Sequence, residues 1–235
     1  MKIVRKIKKL IALQSSEWYC KWLKNNGIRV GGGTRFDPKT TLVDLTRPSL
    51  VTIGENCYFN SYFTLLTHDW VTKVFIQSGR DFLPSSGRII IGNNVSTGRN
   101  VTVLKGVTIG DNCFIGAGSI VTKDIPANSI AVGAPCKVVM SLEDYYQKRQ
   151  RQYEAEALDY AKSIMERYGR KPTPADFWEE FPLFVSGNEI DDYPDIPIRR
   201  QLGRSLSDYI KNHRAKYSSF DAFIENAMNK KCLEK

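Results

Sequence analysis

The fold is decided by residues 91–121, which read IGNNVSTGRNVTVLKGVTIGDNCFIGAGSIV. Small or aliphatic residues recur there at every sixth position: Ile91, Thr97, Val103, Ile109, Ile115 and Val121. A second small apolar residue follows four positions later in the first four units: Val95, Val101, Val107 and Cys113. This period fits neither an amphipathic helix, which repeats at about 3.6 residues, nor a strand, which repeats at about 2. It predicts a solenoid, a parallel β-helix in which each unit forms one flat side of a prism.

The same period is present earlier, at Ile53, Phe59 and Leu65. It is interrupted at about residues 70–88, a segment that contains Ser78-Gly79, Pro84 and Ser86-Gly87. Insertions in repeat arrays form loops, often on the binding face. We therefore expect a β-helix domain over residues 29–140 with one long loop inserted in it.

Different sequence patterns flank the repeat region. Residues 1–28 are expected to form an N-terminal amphipathic helix that ends near Asn25-Asn26-Gly27. Residues 141–235 are expected to be an α-helical appendage. Ser141 is a suitable N-cap for its first long helix, and Gly169 a suitable end. The predicted fold class is thus mainly β, with helices at both ends.

Charge is concentrated near the N-terminus. The chain of 235 residues has 34 Lys and Arg against 25 Asp and Glu, a net charge of +9. Its densest basic stretch lies within residues 2–9, interleaved with apolar residues such as Ile3, Ile7, Leu10 and Ile11. This pattern fits a helix lying on an anionic membrane surface. It also fits a helix whose apolar face caps the open end of the solenoid, which every solenoid needs. No nucleic-acid-binding motif accompanies it.

The expected location is the cytoplasm. No stretch approaches the roughly 20 apolar residues of a transmembrane helix, and Lys8 and Lys9 interrupt the apolar N-terminal segment. The five cysteines are odd in number and show no CxxC spacing, which favours a reducing compartment. If the basic helix contacts lipid, the location is the inner face of the membrane.

Two linked motifs resemble a known family. Residues 106–126, GVTIGDNCFIGAGSIVTKDIP, and residues 132–138, VGAPCKV, are similar to the hexapeptide-repeat acyltransferases, in particular the maltose, galactoside and xenobiotic acetyltransferases. LTHDW at 66–70 and ADFWEEFPLF at 175–184 more narrowly resemble O-acetyltransferases of capsular or exopolysaccharide synthesis. The resemblance implies a left-handed parallel β-helix, a homotrimer and acetyl-CoA as the acyl donor.

Acetyl transfer to a sugar hydroxyl requires a general base, and His is well suited to that role at neutral pH. The chain has two histidines, His68 and His213. The resemblance implies that His68 is the base, because it precedes the inserted loop. His213 lies in a charged helical stretch and is expected to be a solvated surface residue. Two histidines cannot readily supply the three-His zinc site of the hexapeptide carbonic anhydrases, and no metal is expected.

The resemblance also implies a set of CoA-binding residues. These are Gly98, Arg99, Ala117, Thr122, Lys123 and Lys137, with the two lysines meeting phosphates. For each small residue, a plain turn of the solenoid is an equally good explanation. Asp69, Trp70 and Ser96 are expected to contact the acceptor. Ser96-Thr97-Gly98 replaces a common Trp-Ile-Gly of the family, and Arg99 adds a cation that fits an acidic or large glycan or else serves the donor.

The sequence therefore predicts an acetyl-CoA-dependent O-acetyltransferase that acts on a sugar hydroxyl, in surface-glycan biosynthesis, with His68 as general base. A xenobiotic or small-sugar acetyltransferase is the alternative within enzymes. A solenoid assembly protein that binds no CoA is the alternative outside them.

Overall fold

The structure is a computed structural model that describes residue 7 and residues 9–229. It divides into two compact units, Met1–Tyr146 and Gln147–Lys235. The strands of the first unit are β1 Arg29–Val30, β2 Arg35–Phe36, β3 Leu42–Val43, β4 Val51–Ile53, β5 Tyr58–Phe59, β6 Thr64–Leu65, β7 His68–Asp69, β8 Ser85–Ser86, β9 Ile89–Ile91, β10 Ser96–Thr97, β11 Thr102–Val103, β12 Thr108–Ile109, β13 Phe114–Ile115, β14 Ile120–Val121, β15 Ser129–Val132 and β16 Lys137–Ser141.

These strands form three parallel sheets that we call faces. Face 1 has the order β1-β4-β9-β12, face 2 the order β16-β15-β13-β10-β5-β2, and face 3 the order β14-β11-β6-β3. All pairs within the faces are parallel except β15–β16, which closes face 2 in antiparallel fashion. The chain thus runs from face 1 to face 2 to face 3 in each turn and then repeats, which is the coiled arrangement that the six-residue period predicts.

The interior of the coil is filled by the periodic residues. Ile91, Thr97 and Val103 are each at most 2% exposed, and the later members Ile109, Ile115 and Val121 are equally buried. The glycines allow successive turns to stack closely: a Cβ on Gly98 would lie 2.5 Å from the amide nitrogen of Ala117 in the next turn. Stacking alone therefore requires a glycine at position 98.

The inserted segment contains local structure of its own. It includes a short helix, α2 (Thr72–Gln77), and β8, which pairs with β7 in antiparallel fashion. The amide of Gly87 donates a hydrogen bond of 3.0 Å to the carbonyl of Thr67. The insertion is thus a hairpin with a helical tip, and it leaves and rejoins the coil at one place.

The N-terminal segment is not one helix. Residues 9–12 are helical, residues 13 and 14 form a turn, and Ser15 caps a separate helix, α1 (Ser16–Asn25). The expectation of a single helix over residues 1–28 is therefore wrong within the described residues. The Ser15 side chain accepts a hydrogen bond from the Trp18 amide. Ser15 is thus the N-cap of α1, and a new helix begins there.

The residues that cap the solenoid differ from those expected. Ile7, Leu10 and Ile11 are 45–62% exposed, so this face does not cover the core. Tyr19 and Leu23 of α1 do, at 3% and 0% exposure, and they belong to the solenoid's hydrophobic cluster. The other residues of the predicted basic face, Lys2, Ile3, Val4, Arg5, Lys6 and Lys8, lie outside the described residues.

The helices of the remaining chain are α3 Leu142–Tyr168, α4 Ile198–Leu202, α5 Leu206–Asn212 and α6 Phe220–Asn229, with 3₁₀ turns at Pro174–Asp176, Phe181–Leu183, Gly187–Asp192 and Gly203–Ser205. An aromatic cluster that includes Phe177, Phe184 and Phe223 is the core of the second unit. No helix in the described part of the chain combines the length and apolar character needed to cross a bilayer.

His213 is not the solvated surface residue that the sequence predicts. Its ring stacks on Tyr209 with 4.2 Å between centroids, and its Nε2 donates a 2.8 Å hydrogen bond to the carbonyl of Pro182. The charged neighbours in sequence concealed this packing role, because the ring turns away from them toward the 3₁₀ segments.

Candidate active site

His68 lies where the chain leaves face 3 and turns toward face 1. We call this edge the 3/1 corner, and the edge between faces 2 and 3 the 2/3 corner. His68 begins β7, three residues beyond the buried Leu65 of β6. Its side chain is 16% exposed, so the imidazole is shielded while one edge stays accessible.

The imidazole is held by a buried carboxylate. Nδ1 of His68 lies 2.6 Å from Oδ2 of Asp44, whose side chain is 6% exposed. Asp44 directly follows β3, the face 3 strand that pairs with β6 one turn away. If Asp44 is ionised, it can only accept, so Nδ1 carries the proton and Nε2 is left with its lone pair.

Neighbouring threonines keep Asp44 ionised. Its Oδ1 accepts hydrogen bonds from the Thr46 amide at 2.9 Å and the Thr46 hydroxyl at 2.7 Å. Its Oδ2 accepts from the Thr67 amide at 3.2 Å and from the Thr67 hydroxyl. Burial by itself would raise the pKa of Asp44, but these donors and His68 together hold that pKa well below its usual range.

A second ion pair fixes the base of the inserted loop. Asp69 pairs with Lys105, which also donates to the hydroxyl of Ser85, and this lysine holds the pKa of Asp69 below its usual value. Asp69 was expected to contact the acceptor, yet its carboxylate is engaged within the chain. Trp70 is 66% exposed and its ring centroid is 6.1 Å from that of His68.

The predicted CoA-binding residues divide between the two corners. Thr122 and Lys123 directly follow β14 and lie at the 3/1 corner, in the same column as Lys105. Gly98, Arg99 and Ala117 lie at the 2/3 corner. Of these five residues, Gly98 is half-buried and the other four are exposed.

Face 3 separates the two groups within one chain. Arg99 and Lys105 lie on either side of β11, so the two corners are at opposite edges of face 3. Ser96 lies on face 2, and Lys137 begins β16 at the end of that face. The structure therefore brings His68, Asp69 and Trp70 together, and it leaves Ser96, Gly98, Arg99, Ala117 and Lys137 away from them in the same chain.

Asp44, Thr46, Thr67 and Lys105 were not singled out from the sequence. The register explains why. Val103 and Val121 pair across 18 residues, but Val43 and Leu65 pair across 22. The longer early turn breaks the six-residue period, so the sequence does not show that Asp44 lies beside residues 66–68. A search for periods of 22 to 23 residues would have found this register.

No three His, Cys, Asp or Glu side chains within residues 9–229 converge as they would around a metal ion. Cys20, Cys57, Cys113 and Cys136 are all free thiols.

Residues 88–123 match the family model of the bacterial transferase hexapeptide (six repeats). This stretch carries the hexapeptide repeat of the bacterial transferases. This confirms the resemblance drawn from the repeat and from the GVTIGDNCFIGAGSIVTKDIP segment. The matched stretch covers β9 to β14, whose buried residues set the period.

Part of the chain is similar to named relatives. The galactoside O-acetyltransferase of Escherichia coli K12 is 42% identical over 120 residues, which are 51% of this chain and 56% of the relative. The first curated relatives are matched over 30% to 56% of their own length. Among solved structures, a maltose O-acetyltransferase from Clostridium difficile 630 is 25% identical, with a TM-score of 0.42 over 58% of this chain and 83% of that one.

Proposed function

We propose that this protein is an acetyl-CoA-dependent O-acetyltransferase acting on a sugar hydroxyl. The observation that carries the proposal is the His68–Asp44 pair, a shielded imidazole oriented by a buried carboxylate. It lies next to an exposed tryptophan, in a chain that is 42% identical over 120 residues to a galactoside O-acetyltransferase. Imidazole bases and aromatic sugar contacts are suited to this reaction.

In the proposed reaction, Nε2 of His68 accepts the proton of the sugar hydroxyl as the oxygen attacks the thioester carbonyl. The tetrahedral intermediate then expels the CoA thiolate, and the imidazolium returns the proton to that sulfur. Asp44 stabilises the imidazolium and fixes the tautomer through Nδ1. Neither residue is consumed, and the products are the sugar acetate and free CoA.

The donor is proposed to bind between neighbouring subunits of a homotrimer. The two corners lie at opposite edges of face 3 in one chain, so Gly98 and Ala117 lie away from His68 of the same chain. In a cyclic trimer the 2/3 corner of one subunit can face the 3/1 corner of the next. Thr122, Lys123 and Lys137 are proposed to complete the CoA site. The left-handed sense of the coil is part of the same proposal.

A small glycoside is a better candidate for the acceptor than a polysaccharide. The named relative acts on galactosides, as its name states, whereas the surface-glycan role rests on the LTHDW and ADFWEEFPLF segments alone. Thiol release with galactosides, maltose, chloramphenicol and a capsular oligosaccharide separates these acceptors. The location is proposed to be the cytoplasm, with contact to the inner face of the membrane through the exposed Leu10 and Ile11.

The decisive experiment replaces His68 by Ala in the full chain. We expect transfer to fall by about 10²- to 10⁴-fold, the usual contribution of a general base. The matched control is His213→Ala, which removes the other histidine from a packing position and should leave the transfer rate per folded molecule unchanged. A folded His68→Ala protein that keeps most of its activity would contradict the mechanism.

The non-enzymatic alternative has its own test. A ligand that binds only the native state raises apparent stability. If millimolar CoA leaves the melting temperature of the wild-type protein unchanged, the chain is better described as a solenoid assembly protein.

A further inference from the structure

Tyr62 occupies an unusual backbone conformation. Its φ is 64°, in the left-handed region that side chains beyond Asn and Gly rarely adopt. The other non-glycine residues with positive φ in the described chain are all asparagines: Asn56, Asn94, Asn100, Asn112 and Asn128. A tyrosine therefore stands where the fold otherwise uses asparagine.

The position belongs to a regular column at the 2/3 corner. Asn100 and Gly118 lie above Tyr62 in the next two turns, and each amide donates to a carbonyl of the turn below, Ser61 and Arg99 respectively. The Tyr62 amide donates to the hydroxyl of Thr40 at 2.8 Å. The turn geometry is thus the same in all three turns, and the tyrosine adopts it at a cost that Asn or Gly would avoid.

The strained residue presents its ring to solvent. Tyr62 is 53% exposed, so burial does not compensate for the strain. The guanidinium carbon of Arg99 lies 5.8 Å from the ring centroid. None of the salt bridges within residues 9–229 involves Arg99, whereas Lys105 at the other corner is paired with Asp69. The pair is therefore an aromatic face beside a cation that lacks a carboxylate partner.

We propose that Tyr62 and Arg99 bind the carboxylate-bearing ring of a sugar acceptor. A planar guanidinium can hold a carboxylate through two parallel hydrogen bonds. An aromatic face can pack against the C–H face of the same sugar ring. This inference rests on the proposed function and refines it, because it names the acceptor as an acidic glycoside. In the proposed trimer, this corner approaches His68 of the neighbouring subunit.

The competing role for Arg99 is contact with a phosphate of the donor. The aromatic partner favours the sugar, since phosphate has no apolar face to set against a ring. Ser96 on face 2 stands where the family commonly has Trp. The smaller side chain leaves room for a bulkier acceptor, which is consistent with a sugar as the ligand of Arg99.

The test is a titration of the full-length protein saturated with CoA. The probes are methyl β-D-galacturonide and methyl β-D-galactoside, which differ at C6 by a carboxylate. We expect the native protein to bind the uronide about tenfold more tightly, in line with a charged hydrogen bond. Arg99→Gln should abolish this preference. Equal binding of both sugars, or a loss of CoA affinity in place of uronide affinity, would overturn the proposal.

A stability measurement tests the strain independently. Tyr62→Asn should raise the melting temperature by about 3 °C while weakening the binding of both sugars, and Tyr62→Phe should bind both sugars like the native protein. The matched control is Tyr58→Asn, since Tyr58 is 52% exposed but lies in β5 with ordinary strand geometry. It should not gain stability. If Tyr62→Asn gains no stability, or binds both sugars as tightly as the native protein does, the proposal fails.

These measurements are separable from the proposed activity. Thiol release with any sugar reports the acetyltransferase reaction and does not enter the binding titration. A protein that binds the uronide through Arg99 but transfers no acetyl group would contradict the proposed function and leave the sugar site standing.

Discussion

The two corners of face 3 differ in how their polar groups are satisfied. At the 3/1 corner, Asp44 accepts hydrogen bonds from two threonines and from His68, and Asp69 pairs with Lys105. At the 2/3 corner, Arg99 lies over an exposed ring and has no carboxylate partner within the described chain. The first arrangement is complete within the chain and suits a preorganised base. The second is incomplete and suits a ligand.

This contrast makes the mixed trimer the strongest test. His68→Ala disables one corner and Ala117→Trp blocks the other, so each variant alone should be inactive. If each site combines two subunits, every trimer that contains both variants should have about one third of its sites complete. The measurement is thiol release by mixed trimers purified through two different tags.

A mixture of His68→Ala with the double variant is the control, because no site in it can be complete. Activity in the first mixture no higher than in this control would show that each site lies within one chain.

The second test asks whether the 3/1 corner is preorganised by its carboxylate. Asp44→Asn should lower kcat by about 10- to 100-fold with little change in KM, since the base is then misoriented and its cation is no longer stabilised. Asp176→Asn is the control, because Asp176 is a hydrogen-bonded carboxylate of the second unit. It should leave kcat unchanged. A fall in folded fraction without a fall in kcat per folded molecule would assign Asp44 a structural role only.

Asp44 also makes stability depend on pH. The pKa of Asp44 is depressed in the folded state, so the carboxylate stabilises the fold above its unfolded pKa of about 3.9. That contribution is lost as the pH falls through the folded pKa. The difference in unfolding free energy between the wild type and Asp44→Asn should therefore shrink in urea titrations taken from pH 7 toward pH 3.

The smallest effect is expected from the Lys105–Asp69 ion pair at the base of the inserted loop. Lys105→Gln removes the pair with Asp69, but the two side chains are 32% and 44% exposed, so the pair contributes little. We expect the KM for the acceptor to rise about two- to fivefold, with kcat nearly constant. Lys171→Gln removes a comparable exposed pair with Asp221 and should change neither. A large loss of kcat in Lys105→Gln would place the lysine closer to the chemistry.

The sequence predicted the coil and the candidate base His68 for different reasons. The residues of the six-residue period face a narrow interior, so the period follows directly from burial. His68 was found through its resemblance to a family and its place before the insertion. Asp44 was not found, because the early turns are 22 to 23 residues long and hide the register that places it beside His68.

The N-terminal helices show the limit of amphipathic patterns. The spacing of Ile7, Leu10 and Ile11 fitted either a face on a membrane or a face that caps the solenoid. These residues are exposed, and after the turn at residues 13 and 14 it is α1 that covers the core. A pattern identifies an apolar face and does not say which surface covers it. His213 shows the converse, since its charged neighbours hid a stacked ring.

By itself, the sequence determined the hexapeptide coil, the position of the insertion and the one histidine beside it, because these depend on a period and on local order along the chain. Only the tertiary structure decided that Asp44 orients that histidine, that Lys105 forms an ion pair with Asp69, and that Arg99 lies over a strained Tyr62. Each of these contacts joins different turns of the coil, and the irregular length of the early turns sets which residues meet.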